Sequence, residues 1–227
     1  MPRRRRAGVL AGLLVVVVAG CSGGGSGGGH VTPSGTASAT APVTYRTPPA
    51  TLPAIPVPLT TQPPPWLPPA AINNGADSAA YVAAAGFSSA AEMLQVHYHA
   101  HLDIEVDGKA VTVQPFLGWV VKGQSATGLA PLHTHDGSGI IHIENSVPAT
   151  FVLGQFFVEW GVKFTPTCLG PYCTGHGKQL AVFVNGKPYT GDPTRLVLAA
   201  HQEIAVEYGA TGHLPTPPSS YAFPSGL

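Results

Sequence analysis

Charge is what this sequence has least of: Lys, Arg, Asp and Glu make up 10% of its 227 residues. Four of the eleven basic residues are Arg3 to Arg6, which leaves seven to set against eleven acidic ones in the rest of the chain. That balance excludes a nucleic-acid surface, which needs clustered Lys and Arg to neutralise phosphates. Methionine is almost absent: beyond Met1 there is Met93. Soft Cu(I) sites, which favour Met or Cys, are therefore not expected. No GxSxG nucleophile motif, phosphate-binding loop or dinucleotide fingerprint occurs, which removes those enzyme classes. The apolar run over residues 7–20 is shorter than the roughly 20 residues a membrane-spanning helix needs.

What is present begins with that run. Behind Met-Pro and four arginines, AGVLAGLLVVVVAG leads to Cys21 and Ser22, in the order of a charged region, an apolar region and small residues at a cleavage point. The stretch VAGC (18–21) resembles a bacterial lipobox. The resemblance implies a signal peptide over 1–20, lipid attachment to Cys21, and a protein anchored on the extracytoplasmic side of the bacterial cell membrane.

The next segment reads SGGGSGGGH and then becomes rich in Pro and Thr, with twelve prolines between Val31 and Pro69. Gly/Ser chains are flexible and Pro-rich ones semi-extended, so residues 21–75 are expected to form a disordered linker able to hold a domain up to about 150 Å from its anchor. His30 within it is read as incidental.

From about Asn74 the pattern is that of a folded domain. Asp77 is placed to cap a helix over SAAYVAAA, stopped by Gly86, and Ser89-Ala-Ala-Glu92 is a capping-box pattern for a second turn. HYHAHLDIEV (97–106) then alternates with period two: Tyr98, Ala100, Leu102, Ile104 and Val106 on one face, His97, His99, His101, Asp103 and Glu105 on the other. Asp107-Gly108 signals a tight hairpin into a strand over KAVTVQ (109–114). IIHIE (140–144) is a third strand. Leu153, Phe156, Phe157 and Trp160 form the stripe of a short amphipathic helix stopped by Gly161, and LAVFV (180–184) and EIAVEY (203–208) complete the strands, with Asn185-Gly186 as another tight turn.

The expected fold class is α+β: one small domain over 76–213, mostly antiparallel sheet with one packed amphipathic helix, in a β-grasp-like order, followed by a flexible tail over 214–227.

Nine of the ten histidines lie outside the linker: His97, His99, His101, His133, His135, His142, His176, His201 and His213. Six fall in two short tracts, and imidazole is the commonest side-chain metal ligand. On a strand, residues i and i+2 are about 6.7 Å apart and i and i+4 about 13 Å, while two nitrogens on one zinc must come within roughly 4 Å. Adjacent members of HxHxH can therefore share an ion, but His97 and His101 cannot. The preferred site takes His99 and His101 from the first tract and His133 and His135 from the second, with His97 and His142 as alternates and Asp136 and Glu144 as further partners. Imidazole-rich sites suit Cu(II) or Zn. The spacing is not that of a cupin, because Glu144 lies nine residues beyond His135.

Cys168 and Cys173, in CLGPYCTGH, are expected to form a disulfide in an oxidising compartment. A Cys-x4-Cys-x2-His site with His176 is the other reading of the same residues.

HYHAHLDIEVDGK, PLHTHDGSGIIHIE and FVLGQFFVEWGV together resemble a family of uncharacterised bacterial secreted and lipoprotein domains, over roughly residues 86–210. The resemblance implies that the His tracts act as one unit and implies no activity. The leading functional expectation is a lipid-anchored protein that holds, buffers or delivers Cu(II) or Zn, with no nucleic-acid partner. The alternatives are a metal-dependent hydrolase or oxidoreductase with three His ligands and Glu144 or Asp136 as base, and a non-catalytic structural or partner-binding domain without metal.

Overall fold

A computed structural model describes Thr47 and residues 59–89 and 95–227. The leader, Cys21, His30, the rest of the linker up to residue 58, and Glu92 and Met93 lie outside the described residues.

The alternating HYHAHLDIEV segment becomes the central strand β1 (Val96–Val106). Asp107 and Gly108 both adopt positive φ and turn the chain into β2 (Lys109–Ala110), since only that turn geometry matches the twist of the flanking strands. The pairing stops after two residues, although Val111 and Val113 remain buried, so the expected strand over 109–114 is mostly an extended lining of the core. The looser stretch that follows holds a hairpin of β3 (Trp119–Lys122) and β4 (Ser125–Leu129), then the short β5 (Leu132–His133) and β6 (Ile140–Asn145). After helix α2 (Leu153–Trp160) come β7 (Phe164–Thr165), β8 (Cys168–Leu169) and β9 (Tyr172–Cys173), which form a separate three-stranded sheet. The main sheet is completed by β10 (Lys178–Val184), β11 (Lys187–Pro188) and β12 (Glu203–Ala210).

The main sheet runs β11-β10-β12-β1-β6-β5, with β2 also on β1. Its pairs are antiparallel except the central one, β1 with β12. The class is thus α+β, mostly antiparallel, and the described residues fall in one unit. One face of the sheet presents Ala100, Leu102, Ile104, Ile141, Ile143, Ile204 and Val206 to a single core that also takes Leu153, Phe156, Phe157 and Trp160 of α2. Each of the Leu, Ile, Val and Phe side chains among them contributes about 1.5–3 kcal/mol when fully buried. Gln155 anchors the helix start by accepting from the Val152 N–H and donating to the Ala85 carbonyl, and Gly161 ends it in the left-handed conformation. Glu159 is buried in the same helix with neither carboxylate oxygen hydrogen-bonded, and burial pushes its pKa well above the usual carboxylate range.

Helix α1 (Ser78–Ala84) forms where alanine favours it, but Asp77 does not cap it with its side chain; instead the Ser78 hydroxyl donates to the Gly75 carbonyl. The compositional boundary at residue 75 falls inside the packed domain. Thr60 bridges to Val162, and Trp66, 2% exposed, meets the Trp160 ring edge-on while its backbone carbonyl accepts from the Trp160 indole. Cys168 and Cys173 are joined by a disulfide across β8 and β9, and His176 lies exposed beyond it.

Candidate metal centre

Lateral register, more than spacing along one strand, assembles the histidines. On β1 and β6, His99 faces His142 and His97 faces Glu144; on β5 and β6, His133 faces His142. Neighbouring strands are about 4.8 Å apart, closer than residues i and i+2 along one strand, so register brings His99 and His142 to ring centroids 4.5 Å apart, while within HYHAH the His97 and His99 rings also converge, to 4.8 Å. His99 Nε2 lies 3.1 Å from His142 Nδ1. The His133 and His142 rings stack with centroids 5.3 Å apart, and His135 meets His142 edge-on at 4.5 Å.

Two sets of three nitrogens result, each within 4.8 Å of one another: His97, His99 and His142, and His133, His135 and His142. His142 belongs to both. Glu144 brings Oε1 to 3.5 Å from His97 Nε2, 3.8 Å from His142 Nδ1 and 3.9 Å from His133 Nε2. Two ligands on one tetrahedral zinc are about 3.3 Å apart, so these groups need to close by little to share an ion.

The protonation states suit that role. His133 Nδ1 donates to the Ala130 carbonyl at 3.0 Å, because a carbonyl can only accept; the proton is fixed on Nδ1 and the lone pair on Nε2. That Nε2 is buried with no hydrogen-bond partner. Burial pushes His133 down to about 4, with His135, His99 and His97 adding to the shift. Burial and the same crowd of imidazoles push His142 down to about 3, and burial with His97, His201 and His135 lowers His99. Neutral imidazoles crowded together, one with an unpartnered buried lone pair, could hold a metal ion.

Backbone fit positions β5. Gly118 adopts positive φ where an added Cβ would lie 2.1 Å from the Leu132 carbonyl oxygen and 3.0 Å from His133 Cβ, so no side chain fits. Buried Thr134 points away from the cluster: its hydroxyl donates to the Gln114 carbonyl and accepts from the Leu117 N–H.

Of the preferred set of His99, His101, His133 and His135, the structure groups His133 and His135 with His142, and His99 with His97 and His142; His101 joins neither group, and His142, read as an alternate, is common to both. His101 shares a face with His97 and His99, but its Nδ1 lies 2.8 Å from Glu203 Oε2 and its Nε2 donates to the Ser138 carbonyl at 2.8 Å, so both nitrogens are turned toward β12 and the 138–139 loop. Burial lowers the His101 pKa, yet the hydrogen bond and charge of Glu203, the Ser138 carbonyl and Asp103 outweigh it and leave the value raised. Asp136 is an unsuitable base: it is exposed, accepts from the Ser138 N–H in a turn, and is held below the usual carboxylate range by those bonds. Glu144 alone of the two expected carboxylates lies among the histidines.

Two features are not legible in the local sequence. Within EIAVEY, Glu203 is one polar residue of an alternating strand, and only its pairing with His101 across 102 positions gives it a role. Residues 214–227, expected as a flexible tail, fold back beside the cluster: Tyr221 stacks on His101 at 3.6 Å, Phe223 stacks on His201, and the His201 ring meets the Leu227 carbonyl at 3.2 Å. Aromatics at 221 and 223 in an otherwise Pro/Ser-rich segment were the available signal.

No family model matches the chain, and neither a curated protein nor a solved structure matches it. The functional reading therefore rests on the side chains alone.

Proposed function

We propose that this protein is a lipid-anchored, extracytoplasmic metal-binding protein that holds, buffers or delivers Cu(II) or Zn through His99, His133, His135 and His142, with His97 and Glu144 beside them. The observation that carries the reading is His133: a buried imidazole whose tautomer is set by Ala130 and whose free lone pair has no partner among the described residues. Such an atom costs about 1–3 kcal/mol when left unsatisfied, and an ion shared with His135 and His142 removes that cost. Neutral imidazoles as the main donors favour Zn or Cu(II) over harder ions. The anchored location is supported by the lipobox-like VAGC and by the Cys168–Cys173 disulfide, the form cysteine takes outside the reducing cytoplasm. A β-grasp-like reading of the sheet is supported by the parallel central pair β1 and β12, with α2 in the connection between β6 and β10.

Glu144 favours a second reading, a metal-dependent enzyme in which the imidazoles would hold an ion that acidifies water and this carboxylate would serve as the proton acceptor. Its Oε1 lies within 4 Å of three imidazole nitrogens, close enough to act as either ligand or base.

Elemental analysis and metal titration of the purified full chain test the proposal. Near-stoichiometric Zn or Cu(II), lost in H133A/H142A, is expected. A wild-type chain that retains no transition metal and binds none more tightly than the double variant overturns it. Binding of azide to the Cu(II) form would reveal an open coordination position and favour the enzyme reading.

A further inference from the structure

Beside the histidine cluster, the same sheet face carries a second convergent group. His101 and Asp103 on β1 and Glu203 on β12 offer one imidazole nitrogen and two carboxylate oxygens, all within 4.8 Å of one another. Since His101 Nε2 donates to the Ser138 carbonyl, Nδ1 is the nitrogen turned to the acids, 2.8 Å from Glu203 Oε2 and 3.8 Å from Asp103 Oδ2. Glu203 is 1% exposed, and its other oxygen, Oε1, has no hydrogen-bond partner.

Three convergent donors, two of them carboxylates and one of those buried with an unpartnered oxygen, are a set that a divalent ion can share.

The surroundings are built closely around His101. Gly139, at φ 89°, lies where an added Cβ would come within 2.9 Å of His101 Nε2 and 2.6 Å of the Leu102 carbonyl oxygen, so the loop packs on the ring without space for a side chain. Tyr221 lies against the ring face, with 10° between the planes.

The geometry points to a second cation site formed by His101, Asp103 and Glu203, selective for a harder divalent ion of the Mn(II) type and covered by the C-terminal segment through Tyr221. Carboxylate-dominated donors favour such ions, whereas the imidazole-dominated cluster favours Zn or Cu(II). The two sites draw on different side chains, so this inference does not rest on the function proposed above.

Titration of the full chain with Mn(II), followed by the loss of the free-ion EPR signal, tests it. One Mn(II) is expected to bind to the wild type and to bind H133A/H142A with an affinity changed by less than about threefold. D103N and E203Q are each expected to weaken it by about tenfold or more, the scale of losing a metal-site partner. Asp103 is half exposed, so D103N tests the site without disturbing the buried Glu203. Absence of Mn(II) binding in the wild type, undiminished binding in D103N, or loss in H133A/H142A alone overturns the inference; the last result would assign the ion to the histidine cluster.

Discussion

His99 and His142 stand directly opposite each other on antiparallel strands, with Nε2 of the first 3.1 Å from Nδ1 of the second. His142 also faces His133 on its other side, which makes it the one histidine common to both possible ligand sets. H142A is therefore expected to lower Zn or Cu(II) affinity by about 100-fold or more, the upper end of what loss of a metal-site partner costs. H101A is expected to have a much smaller effect. Competition with a chelator of known affinity, measured on both variants, checks the ordering; equal losses would restore His101 to the cluster.

Metal should raise thermal stability, because the ligand row exists only when three strands are paired. A free-ion concentration of 100 times Kd adds about 2.7 kcal/mol, or roughly 5–10 °C in Tm for a domain of this size. Calorimetry with and without Zn reads this shift. H133A/H142A should show no such shift at the same concentration, whereas a domain whose histidines merely coat a sheet would show none in the wild type.

Glu207 supplies a pH dependence separate from the metal. Burial, and then the charge of Glu105 facing it on β1, push its pKa from 4.5 to about 7; on the other side β10 presents Ala181. Between about pH 4.5 and 7 the folded protein keeps a proton that the unfolded chain releases, so stability falls as pH rises through that window. Denaturant unfolding of the metal-free protein across this range should show a flatter profile for E207Q than for the wild type. Parallel profiles would mean that Glu207 titrates normally.

Trp66 tests where the domain begins. Its burial against Trp160, and the hydrogen bond from the Trp160 indole to its carbonyl, tie a segment of Pro-rich composition to α2. W66A should cost about 3–5 kcal/mol, the range for loss of a large buried aromatic. Urea unfolding measures this, and a change below about 0.5 kcal/mol would mark the residue as part of the linker after all.

Local pattern by itself determined the central strand, its two faces, the tight turns at Asp107-Gly108 and Asn185-Gly186, and a helix ended by Gly161, because each depends on a period or a positive φ encoded within a few residues. It also narrowed the metal candidates to two tracts, since imidazoles at alternate positions share a face in any strand. Only the tertiary structure decided which histidines meet. Register between β1 and β6, whose facing His99 and His142 are 43 positions apart, together with the pairing of β5 on β6, placed His142 between His99 and His133. The parallel partner β12 drew His101 out of the row and onto Glu203, an acid 102 positions away. Distances across a sheet are shorter than distances along a strand, so the site follows from the neighbouring strands, and nothing within HYHAH specifies which strands those are.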